Sequence, residues 1–120
     1  MIIVDSAIWI DHLHQFDADL DGLMDQRHAL MHPFVIGEVA LGSLRDRETF
    51  INIASKLPRP PMASVAEVLN LITSAALGGS GIGYVDAHLL ASTILVPSGA
   101  IWTRDKRLIA VAERLNIALL

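Results

Sequence analysis

Ile2-Ile3-Val4-Asp5-Ser6-Ala7-Ile8-Trp9 sets the reading of the whole chain. The β-branched run fits a buried strand, a carboxylate closes it, and Ser6 can cap a helix that carries Ile8, Trp9 and Leu13 on one side. The same order returns near the other end. There Ala100-Ile101-Trp102-Thr103 is a strand candidate after the Pro97-Ser98-Gly99 turn, Asp105 to Leu115 reads as a helix, and Asn116-Ile117-Ala118-Leu119 as a last strand. Short apolar strands separated by helices, without strict two-residue alternation, predict an α/β fold with a mostly parallel central sheet flanked by helices on both faces. Ligands of such open sheets bind beyond the carboxyl ends of the strands, where Asp5 and Asp105 both fall.

The intervening sequence is helical in period. Phe16, Leu20, Leu23 and Met24 recur at helical spacing, and Pro33 suits the first position of a helix bearing Val35, Ile36, Val39 and Ala40, ended with the help of Gly42. Arg45 to Leu57 is predicted as an amphipathic helix with Phe50, Ile51, Ala54 and Leu57 inward, stopped by Pro58-Arg59-Pro60-Pro61. Ser64-Val65-Ala66-Glu67 matches a capping box, Gly78 to Gly83 is a break read as a hinge, and Tyr84 to Val96 resumes helical spacing. No repeat or linker is visible, so residues 1–120 are expected to form a single domain.

Composition bounds the function. A chain of 120 residues is too short for two cores and long enough to bury about two thirds of its unfolded surface. With 52% hydrophobic and 18% charged residues it has the profile of an ordered globular protein. The absence of cysteine excludes disulfides, thiolate zinc sites, iron–sulfur clusters and cysteine nucleophiles, and makes a reducing cytoplasm the expected compartment. No secretory signal is expected at Met1 to Asp5, and the apolar stretch from Leu89 to Trp102 is shorter than the ~20 residues of a membrane span. The net charge of −4 does not announce a nucleic-acid binder. Its distribution is uneven: Asp5, Asp11, Asp17, Asp19, Asp21 and Asp25 all precede Arg27, the first basic residue.

Four acids stand out. Asp5 and Asp105 follow predicted strands, Glu38 interrupts an apolar helix, and Asp86 lies near the start of the helix after the glycine break. Singly, Asp105 could cap the last helix, Asp86 could favour a helix N-terminus, Asp5 could cap locally and Glu38 could be a solvated edge residue. Together they pose an electrostatic problem, because two carboxylates ~4 Å apart at an effective dielectric of ~20 repel by about 4 kcal/mol. Protons or a cation must balance them. All-oxygen ligands select Mg2+ or Mn2+, which accept phosphate oxygens as further ligands and acidify a bound water, so phosphodiester hydrolysis is the chemistry such a cluster suits.

These residues carry a resemblance. Val4-Asp5-Ser6, Pro33-Phe34-Val35-Ile36-Gly37-Glu38, Gly83-Tyr84-Val85-Asp86-Ala87-His88-Leu89-Leu90-Ala91-Ser92 and Trp102-Thr103-Arg104-Asp105-Lys106-Arg107-Leu108 resemble, in order and from end to end, a PIN domain of the VapC-type toxins of bacterial toxin–antitoxin pairs. The resemblance implies a metal-dependent endoribonuclease, using Mg2+ or Mn2+, that acts on single-stranded regions of structured RNA such as tRNA or rRNA. It further implies a homodimer held inactive by a VapB-type antitoxin, as a heterotetramer or larger assembly. The family's acidic residues fall on Asp5, Glu38, Asp86 and Asp105, and its strand-end hydroxyl and small polar residue fall on Thr103 and Ser6, groups that orient a carboxylate or water. Some relatives carry a further acid where this chain has Lys106, Arg107 and Leu108, which leaves a second metal position open. Arg104, Lys106 and Arg107 are candidate contacts to RNA phosphate, with Arg45 and Arg47 as weaker ones.

Other motifs compete. Asp17-x-Asp19-x-Asp21-Gly22 copies the opening of an EF-hand loop, but His28 stands where the bidentate Glu belongs and an amphipathic helix accounts for the segment better. The histidines contain no helical pair bracketing a Glu, and His88 reads as packing or interface, facing away from Asp86. Gly78 to Gly83 lacks the features of a phosphate or dinucleotide loop, and no mid-chain strand supplies the aspartate of a response-regulator receiver. Two rival functions remain: a catalytically silent PIN-like module binding a partner in a groove between the Ala7–Leu13 and Arg45–Leu57 helices, and an RNA-processing nuclease without an antitoxin.

Overall fold

The computed structural model describes residues 1–120. The chain runs β1 (Ile2–Val4), α1 (Ser6–His14), α2 (Ala18–Asp25), β2 (Ala29–Leu30), α3 (Pro33–Ala40), α4 (Arg47–Ala54), α5 (Val65–Ser74), α6 (Tyr84–Leu95), β3 (Ala100–Trp102), α7 (Lys106–Arg114) and β4 (Ala118–Leu119). The four strands form one sheet in the order β2-β1-β3-β4, parallel throughout. In register, Ile2 pairs with Ala29 on one side of β1 and with Ala100 on the other. Successive strand residues face opposite sides of a sheet, and neighbouring Ile3 and Val4 are both fully buried, so both faces of β1 are covered. This is the α/β architecture expected of a PIN-like domain.

The chain leaves β1 for β2 on one side and returns to place β3 on the other. A crevice therefore opens between the carboxyl ends of β1 and β3, the usual ligand position in an open parallel sheet. Trp9 fixes α1 over that end, its indole N–H donating to the Val4 carbonyl at 3.1 Å in a buried bond. The main core joins Ile3, Ile8, Leu20, Met31, Val35, Leu90, Ile101 and Leu108. A smaller cluster of Ala63, Val68, Ala87 and Ala91 seals α5 against α6.

Helix starts depart from the predicted ones for a shared reason. Asp5, not Ser6, is the N-cap of α1. Asp46 caps α4 through the Thr49 amide and hydroxyl, so this helix begins at Arg47 rather than Arg45. Asp17 caps α2, leaving Phe16 outside the helix and 67% exposed instead of packed. Ile51, expected inward, and Leu13, expected on one side with Ile8 and Trp9, are partly exposed. Asp17, Asp19 and Asp21 lie at the cap and in the first turn of a helix rather than in a calcium loop. The capping box of Ser64 and Glu67 forms as predicted, with both reciprocal bonds in place. Strand β2, of two residues, has no counterpart among the strands expected from the sequence.

Candidate active site

Both strands deliver a side chain to the crevice. Asp5 follows β1, and its Oδ1 accepts from the Ser6 amide at 2.7 Å. Its other oxygen, Oδ2, accepts from the Thr103 hydroxyl at 2.7 Å across the crevice. Thr103 in turn accepts the Asp105 amide at 3.1 Å, so one buried hydroxyl spaces two acids. On the other flank the Ser6 hydroxyl donates to Glu38 Oε1 at 2.7 Å. Glu38 comes from α3, whose entry is fixed by Pro33 in the first turn and by His32 Nδ1 accepting the Phe34 amide at 3.0 Å. One chain of contacts thus runs Glu38, Ser6, Asp5, Thr103, Asp105, drawing on three segments.

Asp86 approaches from α6, where its Oδ2 accepts the Gly83 amide at 3.2 Å. Its carboxyl is raised above the usual carboxylate range, first by burial and then by the negative charges of Asp5, Asp105 and Glu38, against the lowering effect of the Gly83 N–H. The four acids therefore share one field. Asp105 Oδ1 accepts the Arg107 and Leu108 amides at 2.9 and 3.3 Å. The local readings of Asp5, Asp86 and Asp105 as helix-start residues are thus correct, and they are compatible with convergence. Each of Glu38, Asp86 and Asp105 keeps one oxygen that accepts no hydrogen bond within the protein. As folded, no three His, Asp or Glu side chains are gathered at metal-ligating distances. The donor set, all hard oxygens in mutual repulsion, has the chemistry of a divalent-cation site.

The basic candidates divide. Arg104 forms an ion pair with Asp11 of α1, both side chains about half exposed. Lys106 and Arg107 instead line a hollow together with Ser80 and Arg114. Arg47 is occupied by the Ala40 and Gly42 carbonyls. His88 is buried and packs edge-on to Phe34 and Tyr84, at ring distances of 4.7 and 4.6 Å. A cavity of about 490 Å3 lies where the binding-module reading places its groove, between α1 and α4, walled by Trp9, Leu13, Met31, Phe50 and Ile53. Ser80 and Arg114 escaped the sequence reading, although Arg107, Val111 and Arg114 recur at the spacing of one helix face.

No protein-family model matches the chain. Two curated relatives do: Ribonuclease VapC32 of Mycobacterium tuberculosis strain CDC 1551 / Oshkosh and that of strain ATCC 25618 / H37Rv. Each is 43% identical over 119 residues, a match covering 99% of this chain and 96% of the relative. The matched region takes in the four acidic segments and both strands of the crevice. The chain belongs to the VapC family of PIN-domain ribonucleases.

Proposed function

We propose that this protein is a toxin endoribonuclease, dependent on Mg2+ or Mn2+, that cleaves single-stranded regions of structured RNA such as tRNA or rRNA. The observation that carries the reading is the spacing of Asp5, Glu38 and Asp105 by two hydroxyls, with Asp86 inside their combined field. The relatives' name, ribonuclease, supplies the reaction class. A binding module gains nothing from four repelling carboxylates at a sheet edge, since their separation costs stability unless a ligand relieves it.

Asp5, Glu38, Asp86 and Asp105 would hold the cation, the last three through oxygens left free of hydrogen bonds and Asp5 through the remaining lone pairs of oxygens already oriented by Ser6 and Thr103. Bound there, it would stabilise charge on the scissile phosphate and acidify a water. The protein's own residues supply order. Thr103 and the Ser6 amide fix both oxygens of Asp5, the Ser6 hydroxyl fixes one oxygen of Glu38, and the amides of α7 fix one oxygen of Asp105. Hydrolysis adds the water oxygen to phosphorus, breaks one phosphorus–oxygen bond of the chain, and leaves the departing oxygen protonated.

A VapB-type antitoxin is the proposed inhibitor and a homodimer, in a heterotetramer or larger complex with it, the proposed assembly. No helix is long and apolar enough to cross a membrane, and a cytoplasmic site of action is proposed. The cavity between α1 and α4 favours the silent binding module as second reading.

Incubation of the purified chain with total RNA and Mg2+ or Mn2+, beside EDTA and Asp86→Asn controls, separates the two. Discrete cleaved ends lost in both controls support the nuclease. Intact RNA with antitoxin verifiably absent, and no Mn2+-dependent rise in melting temperature, supports the binding module.

A further inference from the structure

Beside the acidic crevice lies a second, oppositely charged feature. Ser80, Lys106, Arg107, Ala110, Val111 and Arg114 enclose a shallow hollow of about 390 Å3 between the loop preceding α6 and one face of α7. Its lining holds three cations and no carboxylate. The chain has only nine Lys and Arg residues and a net charge of −4, so gathering three of them without a counter-charge opposes the molecule's overall balance. None of the three forms an ion pair; the structure's one salt bridge is that of Arg104. The Ser80 hydroxyl oxygen is buried in the wall and has no hydrogen-bond partner. An uncompensated cationic hollow with an orphaned hydroxyl matches the chemistry of an oxyanion.

Its position relative to the acids is fixed by shared residues. The Arg107 backbone N–H donates to Asp105 at 2.9 Å while its side chain lines the hollow. On the other wall, Ser80 lies three residues before Gly83, whose amide holds Asp86. Gly81, at φ +88°, lets the Arg107 side chain lie flat on the loop, since a Cβ there would stand 2.7 Å from Arg107 Cδ. From Lys106 to Arg114 the helix rises about 12 Å, so the hollow leads away from the crevice over more than one phosphate spacing of a nucleic-acid strand.

Resting on the ribonuclease reading above, we propose that this hollow seats RNA backbone phosphates flanking the cleaved position, with Arg107 and Arg114 as the contacting cations and Ser80 as a hydroxyl donor. It supplies the attraction for RNA that an acidic chain otherwise lacks. The contact is to the backbone and carries no sequence preference of its own.

The test is binding of a short mixed-sequence single-stranded RNA, fluorescein-labelled, by fluorescence anisotropy over a salt series in EDTA. Wild type is compared with Arg107→Gln, Arg114→Gln, the double variant and a distant control, Lys56→Gln. Each lost phosphate contact should flatten the slope of log affinity against log salt by roughly 0.7, and the double variant should bind roughly tenfold more weakly at low salt. Lys56→Gln should change neither. Arg114 also donates to the Ala75 carbonyl at 2.8 Å, so Arg114→Lys is included: restored slope assigns the effect to charge, whereas a slope still flattened assigns it to structure and overturns Arg114 as a contact. Arg107→Gln breaks no side-chain hydrogen bond and keeps the test valid should Arg114→Gln fold poorly.

Wild type that binds and cuts RNA while the double variant keeps its slope overturns the hollow alone. Wild type that neither binds nor cuts RNA with any metal overturns the ribonuclease reading and the hollow together. Inorganic phosphate is titrated in parallel; its tight binding with an unchanged RNA slope assigns the hollow to a free anion and overturns the RNA assignment.

Discussion

Replacing Thr103 by Val keeps the shape of a side chain that is only 6% exposed and removes its hydroxyl. Two bonds go with it: the donation to Asp5 Oδ2 at 2.7 Å and the acceptance of the Asp105 amide at 3.1 Å. A hydrogen bond to a charged group contributes about 1.5–3 kcal/mol and a neutral one about 1 kcal/mol, so Thr103→Val should cost about 3 kcal/mol. Urea unfolding is the assay. With a slope of about 2 kcal/mol per molar, typical of a chain this size, the midpoint should fall by about 1.5 M at unchanged slope. Thr93→Val is the internal control, because the Thr93 hydroxyl donates only to the Leu89 carbonyl of its own helix, at 2.7 Å. That carbonyl remains bonded within the helix, and the loss should stay below about 1 kcal/mol. Thr103→Ser should recover most of the midpoint. RNA cleavage should drop sharply in Thr103→Val and return in Thr103→Ser. A Thr103→Val midpoint no lower than that of Thr93→Val would refute the role of this hydroxyl in tying the two strands at the site.

Two further outcomes test the electrostatics. Asp86→Asn keeps an acceptor for the Gly83 amide and removes the charge that Asp5, Asp105 and Glu38 oppose; the metal-free variant should unfold later than wild type, by about 0.5–2 kcal/mol, while RNA cleavage is lost. A destabilised variant would contradict the shared field. Burial, and then the charge of His88, hold the His32 imidazole at about 4 against an ordinary 6.5. Its folded value is depressed, so the unfolded chain takes up the proton first, and stability present at neutral pH drains as pH falls from about 6.5 to about 4, by about 3 kcal/mol in all. Urea midpoints of wild type and His32→Asn, which retains a capping side chain, should diverge over that interval. Parallel pH profiles would show that His32 is not buried neutral.

Legibility followed the range of the interaction. The Ser64–Glu67 box acts within a few residues, and the structure reproduces it; the helix expected to run to the prolines after Leu57 ends earlier, at Ala54 with Ser55 as its C-cap. The caps were harder, since Asp, Ser and Thr crowd the helix starts and each can serve. Choosing Ser6 over Asp5, or Arg45 over Arg47, moves a helix start by one or two residues and leaves the facing of its side chains to tertiary packing, which leaves Leu13 and Ile51 partly exposed. Strand β2 spans two residues, Ala29 and Leu30, and has no period to detect; it is a strand because β1 offers its open edge. Of the site, the residue types were visible and their partners were not. The Ser6–Glu38 and Thr103–Asp5 contacts join positions 32 and 98 residues apart. The Arg104–Asp11 pair, which engages one expected phosphate contact, has no local signature, and neither does the meeting of Ser80 with Arg114.

Strand β1 is made first and stands between β2 and β3, yet its longer pairing, from Ile2–Ala100 to Val4–Trp102, waits for the distant end of the chain. On the ribosome, an emerging polypeptide carries Asp5 and Glu38 long before Thr103 and Asp105 exist to meet them. Closing so long a loop is also slow, because its entropy must be overcome before the non-local contacts reward it. For an enzyme whose proposed substrates include the RNAs of translation itself, that order of assembly delays the complete active centre until synthesis has reached the last acid, and gives an inhibitor time to be present when it closes.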